Sequence, residues 1–182
     1  MRRFVITGAS GSGKSTLVDA LAASGYATVA EVGRQIVAEQ MASHGTALPW
    51  RDKAAFMDLL FVRSIARFDQ TGEAADEIVF FDRSFIEAIA YGTVIGRAPA
   101  PAMLQAAALR RFETPAFVCP PWRAIFANDR ERRHDFEFAC KEYEANVAAY
   151  VAAGYDLIEV PPAPVSDRVS FIRHRLDDLS GC

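Results

Sequence analysis

The sequence has no long apolar run; nothing in it approaches the roughly 20 residues that a bilayer-crossing helix needs. No leader is expected, since the β-forming stretch RRFVIT begins directly after Met1; a cytoplasmic location is expected and a membrane partner is not. Cysteine is scarce. Cys119, Cys140 and Cys182 lie far apart, without a C-x-x-C pair or nearby paired histidines, which argues for reduced thiols and against a thiolate metal site. His44, His134 and His174 are isolated, and none has the neighbours of a nucleophile–base pair. An excess of positive charge is missing too: 20 Lys and Arg face 23 Asp and Glu, a formal charge of -3. The basic residues come in small groups, so nucleic acid is not the expected partner. There is no internal repeat and no low-complexity linker, and 182 residues suit one domain that buries about 70% of its unfolded surface.

What is present is alternation. Five short apolar runs, residues 3–7, 26–30, 77–81, 116–119 and 156–160, are separated by longer stretches of helical spacing, the pattern of βαβ units around a parallel sheet. Helices are expected at 14–24, 34–43, 52–69, 103–112, from the arginine-rich segment to Gly154, and at 166–179. In the third of these, Ala54, Met57, Phe61, Ser64 and Phe68 form one stripe. Ser84-Phe85-Ile86-Glu87 has capping-box spacing and should open a helix after the third strand.

Between the first strand and the first helix stands Gly8-Ala9-Ser10-Gly11-Ser12-Gly13-Lys14-Ser15, an ungapped match to G-x-x-x-x-G-K-[ST] in the context that motif requires. The glycines let backbone N–H groups fold inward around an anion, and the following helix points its positive end at the same place. Gly8 through Thr16 are therefore the expected nucleotide-binding residues. Lys14 is assigned to the β- and γ-phosphates and Ser15 to a Mg²⁺ ion, which makes ATP and Mg²⁺ the expected cofactors.

The third strand reads EIVFFDRS, placing Asp82 after four apolar residues, where a second carboxylate completes such a magnesium site. The alternative for Asp82 is a helix N-terminal acid beside the Ser84 cap. Arg83 follows where motor ATPases carry a glutamate that activates water, so a motor is disfavoured. DQTG at residues 69–72 fits the D-x-x-G of GTPases, yet it follows a helix, and no N-K-x-D motif occurs. Oligomeric AAA+ machines usually need a second helical domain with a sensor arginine, which is not expected in these 182 residues.

These stretches resemble a known group. GASGSGKST, EVGRQ, FFDRS, AYG, NDRERR and YDLIEVPP make the chain similar, along its whole length, to the small P-loop kinases of nucleosides and nucleotides, and especially to single-domain ATPases grouped as "AAA domain". The resemblance implies a three-layer α/β fold with a five-stranded parallel sheet of order 2-3-1-4-5. It also implies a helical lid over about residues 122–135, with Arg130, Arg132 and Arg133 covering the transferring phosphoryl group. By the same likeness, the PPAP segment would pack beside the adenine and Arg123 would stack on it.

On the acceptor side, Glu31 directly follows the second strand, on the same carboxyl edge of the sheet as the loop and Asp82. A base there could take a proton from an attacking hydroxyl, as the likeness to deoxynucleoside kinases implies; it could equally cap the next helix or pair with Arg34. A nucleoside or nucleotide acceptor is the expectation. A nucleoside monophosphate kinase of cytidylate-kinase type would instead use Arg34, Arg63, Arg67 and Arg83 as an anion site. Arg63 and Arg67, four apart, could also be no more than a solvated helix face. A third possibility is a regulatory ATP-binding module that acts on a protein partner. The protein is expected to be a monomer or homodimer.

Overall fold

A computed structural model of the chain describes residues 1–72, 77–127 and 134–180. The strands are β1 (Arg2–Gly8), β2 (Ala27–Val29), β3 (Ile78–Asp82), β4 (Ala116–Cys119) and β5 (Leu157–Glu159). All are parallel, in the order β2-β3-β1-β4-β5. The helices are α1 (Lys14–Ala23), α2 (Val32–Ala42), α3 (Lys53–Gln70), α4 (Phe85–Val94), α5 (Pro101–Ala108), α6 (Phe136–Ala152) and α7 (Val165–Ser180), with a short 3₁₀ turn at Arg123–Ile125. Among the described residues no helix is long and apolar enough to cross a membrane.

Because side chains alternate along a strand, β1 feeds two cores. Phe4 and Ile6 join Phe80, Phe117 and Cys119 under α1 and α7, where Leu17, Leu21, Ile172 and Leu176 close the layer. Val5, Val79 and Phe81 face the other way, into a larger cluster built by α2, α3, α4 and α6. The two edge strands are three residues each, shorter than the five-residue runs predicted; each pairs on one side only.

The expected stripe on α3 is largely the buried one, with Phe56 taking the place of Ala54 beside Met57, Phe61, Ser64 and Phe68. The helix predicted over residues 103–112 is displaced. It starts at Pro101, whose fixed φ suits a first turn, and stops at Ala108. Beyond it Arg110 pairs with Asp69 at 2.7 Å, and Phe112 enters the core and donates its backbone N–H to the Tyr155 hydroxyl. The Asp69 of the GTPase-like DQTG is thus tied to a structural arginine.

Candidate active site

The phosphate loop runs from the end of β1 into α1. Gly8 has φ +124°, and a Cβ there would come within 2.1 Å of the Cys119 carbonyl oxygen; the loop leaves the sheet pressed against β4. The Ala9 N–H donates to that same carbonyl at 3.0 Å. Lys14 is buried, and its ammonium is held by the carbonyls of Gly8 and Ala9. Burial lowers its pKa, Arg83 pushes the same way, and Asp82 and Glu31 oppose the shift.

Asp82 ends β3 beside this loop, in register with Ile6 of β1. The Ser15 hydroxyl donates to its Oδ2 at 3.0 Å, while Oδ1 is buried with no hydrogen-bond partner. Burial and the neighbouring Glu31 carboxylate push the Asp82 carboxyl up to about 6, against the pull of Lys14, Arg83 and the Ser15 hydroxyl. Asp82 stands two residues before the cap of the next helix, so both expectations for it, metal ligand and helix N-terminal acid, place it here. Ser84 caps α4 with Glu87 as its reciprocal partner, as the capping-box spacing predicts.

Arg83 is the turn residue between β3 and α4 and adopts φ +70°, a left-handed conformation that costs an arginine roughly 1–2 kcal/mol. Its backbone N–H donates to the Ile6 carbonyl. Its guanidinium is held between Glu31, 3.2 Å from Nε, and Glu142 of α6, 3.4 Å from Nη1. Burial alone would lower its pKa, but Glu142 and Glu31, then Glu87 and Asp82, outweigh it and raise it.

Glu31 occupies the N-terminal boundary of α2, which begins at Val32 rather than at the predicted Arg34. Its side chain makes no capping hydrogen bond. It pairs instead with Arg34 at 3.4 Å and with Arg83, which places one carboxylate between two guanidinium groups.

In front of these groups lies a cavity of about 250 Å³. Ser10, Glu31, Asp82 and Arg83 form its polar end, and Val37, Trp50, Phe56, Leu60, Tyr91 and Phe138 form apolar and aromatic walls. Two carboxylates reach the lining from deeper in the fold. Glu87 directs Oε2 to the Ser84 backbone and hydroxyl and to the Tyr150 hydroxyl, leaving Oε1 buried without a partner; Glu142 likewise has a buried, unpartnered Oε2.

The expected arginines part company here. Arg34 and Arg67 line the cavity, Arg67 donating to Gln35 at 3.2 Å. Arg63 does not join them: it turns to the outer face and pairs with Glu39 of α2 at 2.5 Å. Arg123 lies over the Phe136 ring at 4.9 Å. Arg130, Arg132 and Arg133 fall outside the described residues. Sequence reasoning did not find Glu142, Glu87 or Tyr150, which carry no motif; the capping box was the one available signal, and it marked Glu87 only as a cap.

Strand order, phosphate loop and the carboxylate beside it define a P-loop fold of the kinase type. The chain belongs to the family described as AAA domain, which matches residues 3–168. No curated protein matches it. Several solved structures share the fold. Deoxyadenosine kinase from M. mycoides with bound dATP superposes at a TM-score of 0.63 and 14% identity, over 96% of this chain and 99% of that one. Thymidylate kinase from Ehrlichia chaffeensis gives 0.63 and 15%, over 96% and 98%. NadR protein in complex with NR gives 0.68 and 18%, over 87% of this chain and 45% of that one.

Proposed function

We propose that the protein is an ATP- and Mg²⁺-dependent phosphotransferase acting on an alcohol group of a small metabolite, with a nucleoside as the best-fitting acceptor. The observation that carries this reading is the state of the arginines around the cavity. Arg83 already faces Glu31 and Glu142 and Arg34 faces Glu31, which leaves Arg67, donating to the neutral Gln35, as the lining arginine that faces no carboxylate among the described residues. A site for an anionic acceptor phosphate needs cations to spare. Against that one guanidinium the lining carries two carboxylates with an unpartnered oxygen, Glu87 and Glu142, which disfavour an anionic acceptor and suit hydroxyl or amino donors on a ligand. The neighbours do not divide the two readings, because their names include both a nucleoside kinase and a nucleotide kinase.

In this reading the loop N–H groups and Lys14 hold the ATP phosphates. Ser15 and Asp82 fit a magnesium ion: a hydroxyl and a buried carboxylate oxygen lacking any other partner are oxygen ligands for a cation shared with phosphate. When bound there, Mg²⁺ would neutralise charge on the phosphate oxygens. Glu31 accepts the proton of the acceptor hydroxyl, whose oxygen bonds to the γ-phosphorus as the bond to the β-phosphate oxygen breaks and ADP leaves. Arg83 fixes the Glu31 carboxylate from one side and Arg34 from the other.

The test is a screen of nucleosides and nucleoside monophosphates with purified protein, ATP and Mg²⁺, read as ADP formed. It is followed by kinetics of Glu31→Gln on the acceptor found. An alcohol acceptor predicts a fall of roughly 10²–10⁴-fold in kcat with little change in acceptor KM. Activity confined to monophosphates, with Glu31→Gln near wild type and Arg34→Ala raising acceptor KM, would establish the nucleotide kinase reading instead.

A further inference from the structure

Arg168, in the first turns of α7, is 3% exposed and far in sequence from the phosphate loop, yet it lies directly behind it. Its Nη1 donates to the carbonyls of Ser12 and Gly13, both at 3.2 Å, and its Nη2 to the Cys119 Sγ at 2.9 Å. The Nε is buried without a partner, and among the described residues no carboxylate pairs with this guanidinium. A buried cation whose partners are neutral acceptors and the Trp122 ring, 5.9 Å from its Cζ, lacks a compensating anion. Gly13 makes room for it: at φ +76°, a Cβ on Gly13 would stand 2.9 Å from Arg168 Nη1 and 3.2 Å from the Ile125 Cδ1.

The two carbonyls that Arg168 holds belong to the peptide units whose other ends are the N–H groups of Gly13 and Lys14. A trans peptide points its C=O and N–H in opposite directions. A donor that fixes the carbonyls from behind therefore aims those N–H groups forward, into the cradle of the loop. The guanidinium charge adds to the field at the same place, and a polyphosphate in the cradle is the anion that would compensate it.

We propose that Arg168 is a positioning residue for the phosphate chain of the nucleotide, acting through the Ser12 and Gly13 carbonyls without touching the ligand. The proposal rests on the reading of the loop as a nucleotide site. It also makes α7 part of the phosphate site, and it gives Gly13 a second task besides its backbone conformation.

The test compares wild type, Arg168→Gln and Arg168→Lys in the full chain by isothermal titration with ATP and Mg²⁺, and with inorganic tripolyphosphate as a base-free probe. Arg168→Gln should raise Kd about 10- to 100-fold, as expected for losing a charge beside a partly buried anion, and by a similar factor for both probes, since the effect lies at the phosphates. Arg168→Lys keeps the charge but not the fork and should fall between. An Arg168→Gln protein that folds and binds both probes like wild type overturns the proposal. So does a loss confined to ATP, which would place the effect at the base. Should Arg168→Gln not fold by circular dichroism, Arg168→Lys decides, with an unchanged Kd counting against the proposal. Failure of wild type itself to bind either probe would instead strike the nucleotide reading of the loop.

Discussion

Asp82 carries the most informative titration in the molecule. Its folded value of about 6 lies above the ordinary 3.8. Asp82 therefore favours folding fully only below about pH 4, and that contribution is lost as pH rises through about 6. Without ligand, Asp82→Asn should flatten the pH dependence of stability across this window by about 2–3 kcal/mol; urea titrations at pH 4 and pH 7 measure it. If Mg²⁺ binds at Asp82 as proposed, proton and cation compete for one carboxylate. ATP·Mg²⁺ affinity should then fall toward about tenfold per pH unit below about 6 in wild type and lose that dependence in the variant. Lys14→Ala tests the other side of the same centre, removing the cation assigned to the phosphates. Turnover should drop by orders of magnitude, with an unfolding temperature near wild type.

At this scale the sequence was legible where neighbours in the chain are neighbours in space. Asp82 and Glu31 stand at strand ends, so the strands that reveal them also place them on one edge. The Arg83–Glu142 pair was not legible, since Glu142 is one of several acids on a long helix and only the packing of α6 selects it. Arg63 shows the converse. Its spacing from Arg67 puts both on one helix but leaves open which way each long side chain turns, and Glu39 captured it.

Between elements, the α4 N-terminus and α6 are joined by a buried polar knot. The Tyr150 hydroxyl lies 2.6 Å from the Ser84 hydroxyl and donates to Glu87 at 2.8 Å. Burial, then the Glu87 charge, raise the Tyr150 pKa well above the usual phenol range. Tyr150→Phe keeps the ring and removes this bond to a carboxylate, so it should cost about 1.5–3 kcal/mol in denaturant unfolding. Since Glu87 and Glu142 both line the cavity, acceptor KM should also rise in that variant. Gly8→Ala should be far more damaging, because the new methyl would meet β4 backbone, which cannot swing aside as a side chain can. Loss of soluble folded protein is the expected outcome. Helix and strand identities were readable from period and capping signals. The end of α5 was not, because Arg110 and Phe112 continue a helical pattern, and it is the Asp69 pair and the aromatic core that pull them out of it.

Across the whole molecule, β1 is the central strand, and its partners come from distant parts of the chain: Ile6 lies beside Asp82 on one side and Phe117 on the other. Such pairings make for slow folding, because long loops must close before any contact compensates. They also set an order of events during synthesis. The phosphate loop is among the first segments made, yet the carbonyl that anchors Ala9 belongs to Cys119, and the guanidinium behind Ser12 and Gly13 belongs to Arg168. A chain ending at Arg111 should show no cooperative unfolding transition, although it holds the loop, Glu31, Asp82 and Arg83. On a ribosome, then, the motif most easily recognised in this sequence lacks its anchor on Cys119 until β4 has been made, and lacks its rear support until residue 168 has emerged. Unfinished chains would lack the preformed loop that the proposed nucleotide site requires.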